Sequence, residues 1–172
     1  MPQFVRAALR HDRWLETDGL APLDFPADVL TDLKTTGDEL SVYEVTEMVT
    51  AERIAVALAA TKSTPDQTAY AVFDRVAVES LGIAINKAAG STPDTEVNAL
   101  HHDLHVGTAR RLLDLAAVIA GVEIFPILRN RVVILLKQGF ESGRLDHKKN
   151  PPLCARVKAI IPTRQADGDA TP

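Results

Sequence analysis

The chain has almost no cysteine, few aromatic residues and no long hydrophobic run, and each shortage excludes a class of protein. Cys154 is the only cysteine, so an internal disulfide and a zinc site built chiefly from thiolates are excluded. Aromatic residues make up only 5% of the chain, which leaves little material for aromatic platforms that stack on bases. No segment approaches the roughly 18 uncharged apolar residues of a membrane span.

The chain also lacks an excess of positive charge. It carries 19 Lys and Arg residues against 23 Asp and Glu residues, a net charge of -4, so no overall positive field draws phosphate backbones to its surface. Its first residues, MPQFVRAALRHDRW, contain no apolar stretch of signal-peptide length. We therefore expect a soluble cytoplasmic protein that has neither a nucleic acid nor a membrane as its partner.

What the chain does contain is enough apolar material for one core. Hydrophobic residues make up 46% and charged residues 24% of its 172 residues, which is close to the globular average. We expect a single globular domain of α/β type over residues 1–162 and a flexible C-terminal tail over residues 163–172. The predicted fold class is α+β or α/β, with a small mixed sheet of about four to five strands packed against three main helices.

The first half of the chain has one clear alternation of strand, helix and strand. Residues 4–15 fit either a strand or a helix, and we favour a strand. Residues 39–45 alternate and are rich in β-forming side chains, which predicts a strand. Thr50 predicts the N-cap of a helix that ends near Lys62, and residues 69–74 predict a second strand. A right-handed parallel crossover is the default for such a unit.

The second half predicts a hairpin followed by helices. Residues 81–86 and 96–106 are strand-like and are separated by a long loop, which predicts an antiparallel pair. Thr108 predicts the cap of a helix that ends at Gly121, a residue type suited to the left-handed position after a helix.

A further helix is predicted from Asn130, as its cap, to Gly143. Pro151 and Pro152 then interrupt the chain, and the apolar residues 153–161 fit either a strand or a helix.

The most conspicuous chemical motif is His101-His102-Asp103-Leu104-His105. In a strand, His101, Asp103 and His105 share a face, and in a helix the two outer histidines still do. Imidazoles and a carboxylate are ligands preferred by zinc, iron or nickel, and a metal with an open position could activate water. The candidate metal ligands are thus His101, His102, Asp103 and His105. The alternative is that these are polar residues at the end of a strand.

Acidic residues before the predicted strand at residues 39–45 add weak catalytic candidates. Asp32 and Asp38, with Asp103, could supply carboxylates beside a metal, as in carboxylate-rich nucleases. The alternative is ordinary turn chemistry, in which Gly37 supplies a positive φ. The sequence does not show that these side chains meet.

Two functions from different classes remain open, and the sequence leaves uncertain whether the protein is an enzyme. The glycine-rich phosphate-binding and serine-nucleophile motifs are absent from the chain, so no cofactor is predicted, although a divalent metal fits the histidine motif. The preferred hypothesis is a non-catalytic accessory or regulatory protein that binds a protein partner or a second copy of itself, like an antitoxin, an immunity protein or a subunit. The alternative is a small metal-dependent hydrolase or nuclease that uses the cluster at residues 101–105.

Overall fold

A central sheet covered by helices on both faces forms the fold in this computed structural model, which describes residues 2–7 and 9–160. The strands are β1 (Gln3–Ala7), β2 (Glu39–Val45), β3 (Thr68–Asp74), β4 (Ala84–Lys87), β5 (His101–His105) and β6 (Ile124–Ile127). The α-helices are α1 (His11–Leu15), α2 (Ala27–Asp32), α3 (Ala51–Ala59), α4 (Arg75–Ser80), α5 (Thr95–Asn98), α6 (Ala109–Ala120), α7 (Arg129–Glu141) and α8 (Pro151–Ala159). This confirms the predicted mixture of helix and sheet.

The sheet has six strands, slightly more than predicted, in the order β4-β5-β2-β1-β3-β6. Every hydrogen-bonded pair of neighbours is antiparallel, so the sheet is not the mixed sheet that we expected. β2 and β3 do run in the same direction, because each is antiparallel to β1. The N-terminal strand thus lies between the two strands that the crossover helix α3 connects.

Two hydrophobic cores lie on opposite faces of the sheet because side chains alternate along each strand. Val5 and Tyr43 pack with α3, α7 and α8 on one side, which we call the α3 face. Phe4, Val42 and Leu104 pack with α1, α2, α4 and α6 on the other side, the α6 face. No helix in the described part of the chain has both the length and the apolar character needed to cross a bilayer.

Helix starts were predicted well where a side chain caps the helix. The Thr50 and Thr108 hydroxyls accept hydrogen bonds from the backbone N–H groups of Arg53 and Arg111, as the sequence predicts for α3 and α6. The prediction for Asn130 was wrong. α7 follows β6 almost directly, so Leu128 occupies the cap position without a side-chain hydrogen bond, and Asn130 lies inside the first turn.

Other boundaries differ from prediction for local reasons. α6 does end at Gly121 as predicted, but Gly121 does not take a left-handed conformation: its φ is −78° because the chain continues as a turn towards β6. Residues 11–15 form a helix and not a strand, which turns Trp14 into the core.

The C-terminal predictions have a mixed outcome. Pro151 and Pro152 begin α8, where their missing N–H groups need no partner, and the Asn150 side chain caps the helix. The sequence left strand and helix open for the apolar stretch after these prolines, and the helix is the one that forms, as α8. The tail predicted at residues 163–172 lies outside the described residues.

The loop between β4 and β5 is fixed by a buried ion pair. The Asp94 carboxylate accepts hydrogen bonds from Arg53 Nε at 2.8 Å and Arg53 Nη2 at 2.9 Å. The same carboxylate caps α5 by accepting from the backbone N–H groups of Glu96 and Val97. The Asp94 side chain is 1% exposed, so it holds the loop against α3 in a water-poor setting.

We predict that Asp94→Ala lowers the free energy of unfolding by about 3 kcal/mol, because it removes the α5 cap and leaves Arg53 without its buried partner. Urea denaturation followed by circular dichroism measures the change. Glu96→Ala is the matched control, since Glu96 also pairs with Arg53 but is exposed, and we expect it to cost less than about 1 kcal/mol. Equal losses in the two variants would contradict the assigned role of Asp94.

Candidate functional site

The histidine motif forms the edge-proximal strand β5, and its side chains alternate between the two faces of the sheet. His101, Asp103 and His105 lie on the α3 face, as predicted for a strand. His102 lies on the α6 face, where its ring contacts Phe4 with centroids 5.4 Å apart, and its Nδ1 donates to the backbone oxygen of Leu100. His102 therefore does not meet the other three candidate ligands.

Pairing of β5 with β2 brings four polar or aromatic side chains together, which we call the sheet-face cluster: Ser41, Tyr43, His101 and Asp103. Asp103 Oδ1 lies 3.5 Å from His101 Nε2 and accepts a hydrogen bond of 3.3 Å from Ser41 Oγ. The Tyr43 ring contacts the His101 ring edge-on, with centroids 5.0 Å apart. His101 Nδ1 is buried and has no partner within the described part of the chain.

This geometry limits the chemistry open to the cluster. A general base must bring a ring nitrogen within hydrogen-bond reach of its substrate. His101 Nδ1 is enclosed by protein, and Nε2 faces Asp103. Among residues 2–7 and 9–160, no group of three or more His, Cys, Asp or Glu side chains is arranged to hold a metal ion.

The two acidic candidates outside the motif do not join Asp103. Asp38 lies in the turn before β2 with a φ of 66°, next to Gly37 at 60°, and its backbone oxygen accepts from Val106 N. The positive φ predicted for Gly37 is thus confirmed. Asp32 ends α2 on the α6 face and belongs to a different site.

That site is a cleft of about 810 Å³ at one end of the sheet. It lies where β1 and β6 end and β3 begins, with α1 along one wall. Its apolar lining includes Leu9, Ala69 and Ile127, and cationic side chains come from Arg10, Arg13 and Lys62. This volume falls within the range of about 300–1,000 Å³ that is usual for ligand pockets.

Asp32 fixes the wall of the cleft. Its buried carboxylate accepts hydrogen bonds from Arg10 N at 2.6 Å and from the Trp14 indole Nε1 at 3.0 Å. These bonds hold the N-cap of α1 and its fourth residue against the end of α2. The Arg10 and Arg13 side chains both approach Asp28 as well, at 3.6 and 3.3 Å, so the two guanidinium groups are held at the rim.

A buried arginine lies beneath this wall. Arg6 Nη1 donates to the backbone oxygen of Ser41, and Nη2 donates to the backbone oxygen of Asp32. Burial lowers the pKa of Arg6 from its ordinary value, although the nearby Asp32 carboxylate opposes the shift. Arg6 thus ties the last residue of α2 to β1 and β2.

The outer rim of the cleft combines an exposed cation with exposed apolar groups. Lys62 is exposed and has no ion-pair partner among the residues that the structure describes. Leu15 at the end of α1 is 62% exposed, and Leu128 after β6 is 68% exposed. Leu15 lies on α1, which contacts β6, and Leu128 follows β6 directly and lines the cleft, so the two leucines add exposed apolar surface beside the cleft.

Sequence reasoning missed this cleft because its residues come from five separate stretches of the chain. One signal was present in β1: Phe4 and Arg6 share a face of the strand, so a charged residue occupies a position that faces the core. A buried arginine needs acceptors, which points to a polar structure above β1. The identity of the acceptors depends on the position of α2, which the local sequence does not specify.

We predict that Tyr43 titrates far above the ordinary tyrosine value of about 10. Burial raises its pKa to about 12, and the Asp103 carboxylate adds to the shift, while Arg6 opposes it. Because the unfolded chain releases this proton first, the free energy of unfolding should fall as the pH rises from about 10 to about 12. Tyrosinate absorbance and urea denaturation across this pH range test both statements.

Tyr43→Phe is the control for this titration. The variant should lack the tyrosinate absorbance step that occurs at the highest pH. Its free energy of unfolding should also fall less as the pH rises. A smaller decline should persist because burial also raises the pKa of Tyr70. Titration of Tyr43 near its ordinary value would show that the sheet-face cluster is open to water.

Comparisons of this chain with protein-family models, with curated proteins and with solved structures found no match. The arrangement of the residues themselves is therefore the basis for inferring function.

Proposed function

We propose that this protein is a non-catalytic accessory or regulatory protein that binds an extended segment of a partner protein in the cleft beside α1. The observation that carries the proposal is the cleft of about 810 Å³ with Leu15 and Leu128 exposed on the elements that wall it. Exposed apolar side chains around a concave surface favour a macromolecular partner over a small solute. The lone buried thiol of Cys154 is consistent with a cytoplasmic setting for such a protein.

The charges of the cleft define the chemistry of the segment. The cleft lining contains three cationic side chains, those of Arg10, Arg13 and Lys62, and two carboxylates. One of the carboxylates, that of Asp32, already accepts hydrogen bonds from Arg10 N and Trp14 Nε1. Arg10 and Arg13 are partly neutralised by Asp28. Among the residues that the structure describes, Lys62 is the rim cation without an ion-pair partner, so the matching segment has an acidic side chain flanked by apolar ones.

Site-specific cross-linking tests the location of the partner. Benzoylphenylalanine in place of Leu128 or Leu15, in cells of the source organism, should form an adduct with one partner protein. The same group in place of Met48 or Val76 is the matched control, because these apolar side chains are 83% and 54% exposed and neither lies on an element that walls the cleft. Adducts of equal yield at all four positions would contradict a cleft-specific partner.

The second step uses a synthetic peptide of the cross-linked segment. The peptide should contain an acidic residue. Its binding should alter the fluorescence of Trp14, the only tryptophan in the sequence, because the Trp14 indole is hydrogen-bonded to Asp32 in the cleft wall. Lys62→Gln should weaken binding about five- to tenfold, while Lys158→Gln on α8 should leave it unchanged. A basic segment, or equal binding by both variants, would contradict the proposal.

A metal-dependent hydrolase or nuclease is the second candidate, and the approach of His101 Nε2 to Asp103 Oδ1 supports it. Such a protein should retain stoichiometric zinc, iron, nickel or manganese when purified untagged, and His101→Ala should abolish retention. Elemental analysis of the wild type, His101→Ala and His105→Ala makes the test. Wild-type protein without metal would remove this candidate and leave the binding proposal unaffected.

A further inference from the structure

The sheet has two edges, and they differ in their capacity to accept another strand. β4 and β6 are the outermost strands. The outer side of an edge strand presents backbone N–H and C=O groups that a further strand can pair with. Which residues point outward follows from the hydrogen bonds on the inner side.

The β6 edge is blocked by a proline. Leu9 N donates to the backbone oxygen of Ala69, so the backbone groups of Ala69 face β1 and not β6. Pro126 is the register partner of Ala69, and its backbone therefore faces outward. Since proline has no N–H, the centre of this edge offers no donor to an incoming strand.

The β4 edge is open, because among the described residues β4 pairs with β5 alone. Ala88 N donates to the backbone oxygen of His101, which shows that odd-numbered residues of β5 face β4. Their register partners Ala84 and Asn86 therefore face inward. The N–H and C=O groups of Ile85 and Lys87 face outward, and neither residue is a proline.

We propose that β4 is a self-association site, at which two copies of this chain pair their β4 strands antiparallel around a twofold axis at Asn86. In this register Ile85 of each copy lies opposite Lys87 of the other, and each such pair exchanges two backbone hydrogen bonds. The two Asn86 side chains meet at the axis, where their amides can bond to each other. The two sheets become one continuous sheet.

Side-chain chemistry selects this register. A twofold axis at Lys87 would place two ammonium groups directly opposite each other, which is unfavourable. An axis at Ile85 would leave Lys87 opposite a residue outside the strand. The Asn86 axis pairs all of the outward backbone groups and opposes no like charges. The exposed face of β4 carries Ala84 and Asn86, which are too small to obstruct the second copy.

The association is closed, because the other edge is blocked. A twofold contact that uses the same patch on both copies ends at a dimer. With Pro126 on the far edge, further copies cannot add to form a fibre. The contact is small, so the dimer should be weak and its fraction should rise with protein concentration.

Sedimentation velocity over a wide concentration range tests the proposal. The wild type should pass from monomer to dimer, and Ile85→Pro should raise the dimer dissociation constant about tenfold or more, because it removes an outward N–H at each half of the interface. The pairing of β4 with β5 does not use the Ile85 N–H. Ile85→Ala is the matched control, since it keeps the N–H and should dimerise like the wild type.

Asn86→Lys is the second variant in case proline prevents folding. It places two cations against each other at the axis. Dimerisation of this variant should therefore be weaker than that of the wild type at low salt and should recover at high salt. Circular dichroism and Trp14 fluorescence confirm that each variant is folded. A wild type that stays monomeric at every concentration, or folded Ile85→Pro and Asn86→Lys variants that dimerise like it at low salt, would overturn the proposal. The dimer contact lies at the opposite edge from the cleft, so its failure leaves the proposed function intact.

Discussion

The Asp32 carboxylate is the interaction on which the cleft depends. It accepts hydrogen bonds from the backbone N–H of Arg10 and from the indole N–H of Trp14. The backbone oxygen of Asp32 accepts a further hydrogen bond from the Arg6 guanidinium. Three elements, α1, α2 and the sheet, therefore meet at one residue. Carboxylates that accept several N–H groups in a buried setting are strongly bound, and without these bonds α1 has only five residues with which to hold its position. A short helix of that length is not stable alone.

The two faces of the sheet use polar groups differently. On the α6 face, Arg6 donates from both Nη atoms to backbone oxygens, and the Asp32 carboxylate accepts from Arg10 N and the Trp14 indole, while the buried Arg6 Nε has no partner in the described part of the chain. On the α3 face, the sheet-face cluster contains a looser set of contacts, with a histidine nitrogen that lacks a partner and a separation of 3.5 Å between His101 and Asp103. A buried group without a partner costs stability, so each face of the sheet carries one such cost. The polar contacts of the sheet-face cluster, at 3.3 and 3.5 Å, are longer than those of Arg6 and Asp32, which lie between 2.6 and 3.0 Å.

Features that depend on neighbouring residues were predictable from the sequence. The alternation in residues 39–45 gave β2 its correct bounds, and Thr50 and Thr108 cap helices as expected. The shared face of His101 and Asp103 also followed from alternation alone. Features set by distant residues were not predictable. The position of β1 between β2 and β3, and the meeting of Trp14 with Asp32, depend on how the whole sheet is ordered. Asn130 shows the limit of local rules. Because β6 leads almost directly into α7, the helix begins before Asn130, and the Asn130 side chain does not cap it.

The central place of β1 has a consequence for synthesis on the ribosome. β1 is made before the other five strands that the structure describes, and both long strands assemble on it: β2 pairs with one side of β1 and β3 with the other. β5 then adds to β2 and brings β4 with it, and β6 adds to β3. The sheet can therefore grow outward from its oldest strand in nearly the order in which the chain is made. Deletion of β1 would remove the strand on which the sheet assembles, whereas changes in β4 or β6 would alter only its margins.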